Sequence, residues 1–316
     1  MHEHPAADDR DDPMSARELT AVATDGVTLA GSLWLPDERP PRALVLMQPG
    51  SGPSDRDNDV LFPPIREALL AVGIAVTSFD KRGVGASGGS WLTADIERQA
   101  GDLTAALSVA RGELPGTPAG LFGHSQGGWV VLAAAAPSHA EFVITNSGPG
   151  VTPRTQEAFA TRGHLAALGL ELEREVEAAA TFDELAFTLS DGTPFAEASE
   201  WMADPSRRRA LDDLAAANAF VPTTRELWDF AATIVDFDPA DALRGIRVPL
   251  LGLFGGADDI VPVDESADRF AELVPPEFLS LAVLAGGDHR LQLPGTETFV
   301  PGYLDALISF VLTHTH

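Results

Sequence analysis

The run G-H-S-Q-G at 123–127 constrains the fold of this chain more than any other part of its sequence. It follows a short apolar segment, 119–122, that is typical of the end of a buried strand. The small and apolar residues of 128–136 come next and predict a helix that ends before Pro137. A strand, a G-x-S-x-G motif and a helix in this order form a nucleophile elbow, in which glycines flank the serine because the turn leaves no room for side chains. The sequence therefore predicts Ser125 as a candidate nucleophile.

Two further apolar segments end close to the groups that a serine nucleophile needs. A serine hydroxyl requires a base to take its proton, and that base requires a carboxylate to hold its tautomer. The predicted strand at 248–254 is followed by Asp258, and the predicted strand at 278–284 is followed by His289. Open α/β sheets place functional residues beyond the carboxyl ends of their strands. We therefore expect Ser125, Asp258 and His289 to lie together at one edge of a sheet.

Strand and helix patterns alternate over most of the chain. Segment 20–35 predicts a hairpin about the turn dipeptide D-G, and 43–47 and 74–79 predict buried strands. Helical spacing of apolar residues follows Pro63 and, later, Thr93, where we expect a helix to open. Strands that alternate with helices predict an α/β fold with a mostly parallel central sheet flanked by helices.

The alternation stops within 151–242, which carries helical patterns, one of them at 165–179, and many aromatic residues but no clear strand. We predict that this segment is a helical cap, or lid, inserted into a core formed by 18–150 and 243–316. Some of its aromatic side chains are expected to line an apolar pocket, and most are expected to pack the cap against the core. The polar segment 1–17 predicts a disordered acidic tail.

Composition excludes several classes of function. The chain has no cysteine, which rules out disulfides, thiol catalysis and cysteine metal sites. Its 47 acidic and 21 basic residues give a net charge of −26, which disfavours binding to nucleic acid or anionic membranes. The longest apolar run, 129–136, is too short to cross a bilayer, and the acidic start lacks an apolar signal segment, so we expect a cytoplasmic protein.

Lys81 is the only lysine. Two interpretations of this acidic, lysine-poor composition stay open: a GC-rich genome and adaptation to high salt.

Three loops extend the picture beyond the serine motif. The run at 80–87 matches D-x-R-G-x-G-x-S, the loop that follows the fourth strand of α/β hydrolases. The run at 48–53 lies where that superfamily carries its oxyanion loop, and 51–57 and 147–150 are similar to bacterial acyl esterases and serine-aminopeptidase-like hydrolases. The order Ser, Asp, His is also that of α/β hydrolases. The chain thus resembles this superfamily over nearly its whole length.

The resemblance implies a triad of Ser125, His289 and Asp258. The adjacent Asp259 competes with Asp258 by position alone, but the family pattern G-x-x-D-x-I/V-V-P places the acid at Asp258. We expect Asp80 and Arg82 of the D-x-R-G loop to brace that loop by a local ion pair.

The resemblance also implies an oxyanion hole made of backbone N–H groups. One is expected from Gln126 and the other from Ser51 or Gly52, and the sequence leaves that choice open. Pro49 replaces the histidine of the family motif and has no N–H, but the donor comes from a later residue.

The implied activity is cleavage of a small carboxylic ester through an acyl-enzyme, without a metal or cofactor. Two alternatives stay open: an amide or peptide hydrolase with the same triad, and a ligand-binding protein on the same fold. The run at 83–88 matches G-x-G-x-x-G, but no helix begins inside it, so we do not expect it to bind a dinucleotide.

Overall fold

The computed structural model describes residues 16–37 and 40–315. Within them, eight strands form one sheet in the order β1-β2-β4-β3-β5-β6-β7-β8. The strands are β1 (Arg17–Val22), β2 (Thr28–Trp34), β3 (Ala43–Gln48), β4 (Ile74–Phe79), β5 (Ala119–His124), β6 (Val143–Asn146), β7 (Leu250–Gly255) and β8 (Leu279–Leu284). Strands β3 to β8 are parallel, and β2 is antiparallel to both of its neighbours. The predicted α/β fold with a mostly parallel sheet is confirmed.

Helices flank the sheet and follow most of its strands. They are α1 (Phe62–Ala71), α2 (Ile96–Glu113), α3 (Gln126–Ala134), α4 (Pro153–Ala167), α5 (Leu172–Ser190), α6 (Phe195–Met202), α7 (Arg208–Ala216), α8 (Arg225–Ile234), α9 (Ala240–Gly245), α10 (Val263–Leu273) and α11 (Tyr303–Thr313). A short 3₁₀ helix, Trp91–Thr93, precedes α2.

Strand β3 shows why the sheet is covered on both faces. Leu44 and Leu46 lie in the apolar core that contains α2 and α3, whereas Val45 and Met47 lie in a second core that contains α1 and α11. All four side chains are buried. A strand without a solvent-facing side is typical of a parallel sheet between two helical layers.

Local capping moves one predicted boundary. The hairpin of β1 and β2 agrees with the sequence, but the helix expected to open at Thr93 begins at Ile96. Thr93 ends the 3₁₀ helix, and the side chain of Asp95 accepts a hydrogen bond from the backbone N–H of Arg98 at 2.8 Å. The apolar spacing predicts the helix, whereas its side-chain cap sets the first residue.

Six helices, α4 to α9, lie between β6 and β7, and the first five of them, α4 to α8, cover the segment in which the alternation of the sequence stops. The helical pattern at 165–179 is divided between α4 and α5, with Gly169 in the turn at a φ of 65°. This helical insertion packs around two buried clusters of its own, one containing Phe182 and the other Trp228.

The predicted tail over 1–17 lies mostly outside the described residues, and Arg17 is the first residue of β1. In the described part of the chain, no helix is both long and apolar enough to cross a membrane.

Candidate active site

Ser125 lies in a sharp turn between β5 and α3, at the carboxyl edge of the sheet. Its φ of 54° and ψ of −125° are values that residues other than glycine adopt rarely and with strain. The turn is held by two backbone hydrogen bonds. The N–H of Ser125 donates to the carbonyl of Asn146 at 3.0 Å, and the N–H of Gly128 donates to the carbonyl of Ser125 at 2.7 Å.

Two glycines make this turn possible. A Cβ on Gly123 would lie 2.1 Å from the carbonyl oxygen of Gly127. A Cβ on Gly127 would lie 2.5 Å from the carbonyl oxygen of Gln48. Because either side chain would collide with main chain, the G-x-S-x-G pattern has a steric reason at both of its outer positions.

Asp258 and His289 are brought together by the loops that follow β7 and β8. Asp258 Oδ2 lies 2.9 Å from His289 Nδ1, and the carboxylate is fully buried. Its other oxygen accepts the backbone N–H groups of Ile260 and Val261, both at 2.9 Å. A carboxylate only accepts hydrogen bonds, so Nδ1 carries the proton. The other ring nitrogen, Nε2, is left as the one that can act as a base.

Asp259 contacts a different partner from Asp258. Its Oδ2 lies 3.6 Å from Nε2 of His164, on α4, and its side chain is 70% exposed. The structure therefore places Asp258, not Asp259, against the ring of His289.

Ser125 and His289 line the same cavity. In the described residues no hydrogen bond joins the serine hydroxyl to the histidine ring. Contacts between a nucleophile and its base are often looser without substrate. The arrangement thus brings the three predicted residues to one edge of the sheet, as open α/β folds require.

His124 is buried beside His289. The centres of the two rings are 5.0 Å apart. His124 Nδ1 lies 3.2 Å from the backbone carbonyl oxygen and 3.0 Å from the side-chain nitrogen of Asn146. Burial, with a smaller contribution from His289, holds the pKa of His124 well below its usual range. An uncharged ring therefore packs against the histidine that the triad would use.

The candidate oxyanion donors surround Ser125. Gln126 is the first residue of α3, so its N–H has no acceptor within the helix. Ser51 and Gly52 line a cavity together with Ser125, and in the described residues neither of their N–H groups donates to another protein atom. The N–H of the preceding residue, Gly50, donates to Asn58 Oδ1 at 3.1 Å and is therefore not free to bind an oxyanion.

Lys81 lies beneath these donors and is a residue that the sequence analysis did not place in the site. Its Nζ donates to the carbonyl oxygen of Gly50 at 2.8 Å and lies 3.1 Å from Oε1 of Gln126. Burial lowers the pKa of Lys81 to about 7. A lone lysine in a chain that otherwise uses arginine was the available sequence signal.

The D-x-R-G loop is braced, but not by the expected pair. Asp80 binds the guanidinium of Arg56, with Nη2 to Oδ2 at 2.8 Å. Arg82 instead binds Asp25 and Asp102, each at 2.6 Å. The predicted ion pair between Asp80 and Arg82 is therefore wrong, because each side chain pairs with a residue in another part of the chain.

Two cavities of opposite polarity meet at Ser125. The first, about 290 Å³, lies between the core and the helical insertion. Its lining is mostly apolar and includes Trp129, Phe182, Leu185, Phe220, Phe230 and Ile234. The second, about 460 Å³ and more open, is lined by polar side chains that include Asp55, Asn58, Asp59, His289 and Arg290.

Only some of the aromatic residues of the insertion reach the apolar cavity. Phe182, Phe220 and Phe230 line it. Trp228 is instead buried inside the insertion, where its indole N–H donates to the carbonyl of Thr193 at 2.9 Å. Trp201 donates to Glu184 and does not line the cavity.

In the described part of the chain, no group of three or more His, Asp or Glu side chains is arranged to hold a metal ion.

A family model and a similar protein each match most of this chain. A family model described as serine aminopeptidase, S33, matches residues 39–293. The monoacylglycerol lipase of Mycolicibacterium smegmatis is 24% identical over 306 residues, which cover 94% of this chain and 97% of that protein.

Solved structures similar to this one are α/β hydrolases. An esterase of Pyrococcus furiosus has a TM-score of 0.60 at 18% identity, with 94% of this chain and 90% of that chain covered. A proline iminopeptidase of Mycobacterium smegmatis has a TM-score of 0.59 at 19% identity, with 95% and 99% covered. These structures support the fold, and the family model matches well over half of the sequence. The chain therefore belongs to the serine aminopeptidase S33 family of hydrolases, within the α/β-hydrolase superfamily that its motifs resemble.

Proposed function

We propose that this protein is a serine hydrolase that cleaves small carboxylic esters through an acyl-enzyme. The observation that carries the proposal is the 2.9 Å contact between Asp258 and His289, whose ring lines one cavity together with Ser125 on its strained elbow. A buried carboxylate bound to Nδ1 fixes the ring and stabilises its protonated form. The remaining nitrogen is then suited to take the serine proton.

In the proposed reaction, Ser125 Oγ attacks the ester carbonyl carbon while His289 accepts the hydroxyl proton. The carbonyl oxygen becomes an oxyanion, which the N–H of Gln126 and that of Ser51 or Gly52 stabilise. The C–O bond to the alcohol then breaks, and His289 returns the proton to the leaving alkoxide. Water attacks the acyl-enzyme by the same route and releases the acid. No metal or cofactor takes part in these steps.

The two cavities support an ester with one apolar and one polar part. We propose that the apolar cavity takes the acyl group and that the polar cavity takes the alcohol. In this proposal the helical insertion is the cap, because its residues Phe182, Phe220 and Phe230 form one wall of the acyl site. The name of the monoacylglycerol lipase of Mycolicibacterium smegmatis, a similar protein, agrees with such a substrate.

The direct test is turnover of p-nitrophenyl esters of graded acyl length by the wild type and by Ser125→Ala. We expect the variant to keep its fold and to lose activity by a factor on the order of 10⁶, as loss of a triad nucleophile does. Circular dichroism checks the fold, and a fluorophosphonate probe should label Ser125 alone. Labelling at another serine, or none in a folded wild type, would contradict the proposal and would favour the ligand-binding alternative.

An amide or peptide hydrolase with the same triad is the second candidate. Among the described residues that line the apolar cavity, Glu157 is the one acid, and it would be the group to hold a substrate amine. Gln156 Nε2 donates to Glu157 Oε1 at 3.3 Å. Burial raises the pKa of Glu157, because the cavity disfavours its charged form while that charge has no partner. A substrate ammonium group would supply that partner.

Glu157→Gln separates the two candidates, because it removes the charge while keeping the shape. An ester hydrolase should retain its p-nitrophenyl ester turnover within a few fold. An aminopeptidase should turn over aminoacyl-p-nitroanilides in the wild type and lose about 10²-fold or more in kcat/KM in the variant, as expected when a buried charge loses its partner. If the wild type cleaves the anilides faster than the esters and the variant shows this loss, the amide assignment replaces the ester assignment.

A further inference from the structure

Lys81 is a buried ammonium group whose hydrogen-bond partners are both uncharged. Its side chain is 8% exposed, and its Nζ contacts the Gly50 carbonyl oxygen and the Gln126 side-chain oxygen at 2.8 and 3.1 Å. The charged side chains beside it in sequence, Asp80 and Arg82, are engaged in the ion pairs described above. Burying a charge without an opposite charge costs free energy. Burial accordingly lowers the pKa of Lys81 to about 7. Packing alone would be served better by an apolar residue.

Both contacts of Lys81 lead to the candidate oxyanion donors. The Gly50 carbonyl and the Ser51 N–H belong to one planar peptide group, so fixing the oxygen fixes the direction of the N–H. When Nζ is protonated, its positive charge at that oxygen also polarises the peptide and strengthens its N–H as a donor. The second contact is to the side chain of Gln126, whose backbone N–H is the other donor. One ammonium group thus connects the two halves of the hole across 31 and 45 residues of chain.

We propose that Lys81 is the positioning residue of the oxyanion hole and that the N–H of Ser51, rather than that of Gly52, is the second donor. The inference rests on the proposed function, because an oxyanion forms only if Ser125 attacks a carbonyl or an equivalent centre. Lys81 does not touch the substrate. It holds the loop after β3 at a fixed distance from the first residue of α3.

The first test is the kinetic effect of Lys81→Met, which keeps the length of the side chain and removes the ammonium. We expect kcat to fall about 10²-fold, the lower end of the range for one lost oxyanion donor, with KM within about twofold. The rate at which a fluorophosphonate labels Ser125 should fall by a similar factor, because the phosphoryl oxygen occupies the same hole. Lys81→Arg, which keeps the charge, should recover part of both rates.

Gln99→Met is the matched control. Gln99 is buried in the same small cavity as Lys81, but its side chain donates to the carbonyl of Ala94 and not to the oxyanion loop. Its kcat should stay within about twofold of the wild type. A folded Lys81→Met protein with kcat within threefold of the wild type, or with a change in KM alone, would overturn the inference.

A measurement on the wild type covers the case in which Lys81→Met does not fold. Because Lys81 is the only lysine, ¹³C-labelled lysine gives a single side-chain resonance. We expect its ¹³Cε shift to change when Ser125 forms the phosphonate adduct, and an unchanged shift would overturn the inference. A wild type that neither turns over substrate nor reacts with the probe would overturn the proposed function and this inference together. A reactive wild type with an unaffected Lys81→Met variant would overturn this inference alone.

Discussion

Asp258 and Asp259 are adjacent in the chain, but only Asp258 contacts His289. Asp258→Asn removes the charge that stabilises the protonated ring and allows the wrong tautomer, so we expect kcat to fall by up to about 10⁴-fold, as in a serine protease. Asp259→Asn should change kcat by less than about twofold, because its side chain is mostly exposed and exposed ion pairs contribute little. Steady-state kinetics of both variants on one ester decides the matter. A larger loss at Asp259 would move the triad acid by one residue.

The sequence could predict that Ser125, Asp258 and His289 lie at one edge of the sheet, because each follows a recognisable strand within five residues and parallel strands bring such positions together. It could not predict the role we infer for Lys81. The two contacts of that side chain are with residues 31 and 45 positions away, so no local pattern records them. The contact between His124 and His289 could not be predicted for a similar reason, because it depends on how β5 and β8 are placed in the sheet.

Helix α8 contributes the residue best suited to test the acyl site. Phe230 is buried, lines the apolar cavity and packs edge-on against Trp91 with ring centres 5.2 Å apart. Phe230→Ala should change the preferred acyl length and reduce kcat/KM for the best ester. The expected loss of transition-state binding free energy is roughly 1–3 kcal/mol, the value of a well-buried apolar contact. The matched control is Phe187→Ala on α5, because Phe187 is 62% exposed and does not line this cavity. An identical ranking of the ester series in both variants would argue against the assignment of the acyl site.

The helices of the insertion also show where sequence reasoning stops. Periodicity indicated helices in 151–242, but the turn at Gly169 divides one pattern into α4 and α5. Which aromatic side chains face the core depends on how each helix is rotated against its neighbours, and no single helix encodes that rotation. Phe230 therefore faces the cavity, whereas Trp228, two residues earlier on the same helix, faces the interior of the insertion.

The net charge of −26 acts on the whole molecule. Self-repulsion among like charges destabilises a compact chain, and salt screens it, with a Debye length near 10 Å at 0.1 M and about 3 Å at 1 M. We therefore expect the melting temperature at pH 7 to rise by several degrees between about 0.1 and 1 M NaCl. Calorimetry near the sequence pI of 4.4 is the control, because the net charge and hence the salt effect should be small there. A melting temperature that does not depend on salt at pH 7 would show that self-repulsion is negligible.

An apolar cavity and a polar cavity meet at Ser125. In the proposed ester hydrolase, selection of the acyl group is therefore separate from selection of the group that accepts it. In the proposed mechanism the acyl group still fills the apolar cavity after the first alcohol has left, and the polar cavity is then open to the next nucleophile. In this proposal the walls of the apolar cavity select the acyl donor, whereas residues that line the polar cavity, such as Asp55 and Asn58, select the acceptor. A small polyol that binds there would compete with water for the acyl group. The same site would then exchange one ester for another, and the balance between exchange and hydrolysis could be altered without changing the acyl preference.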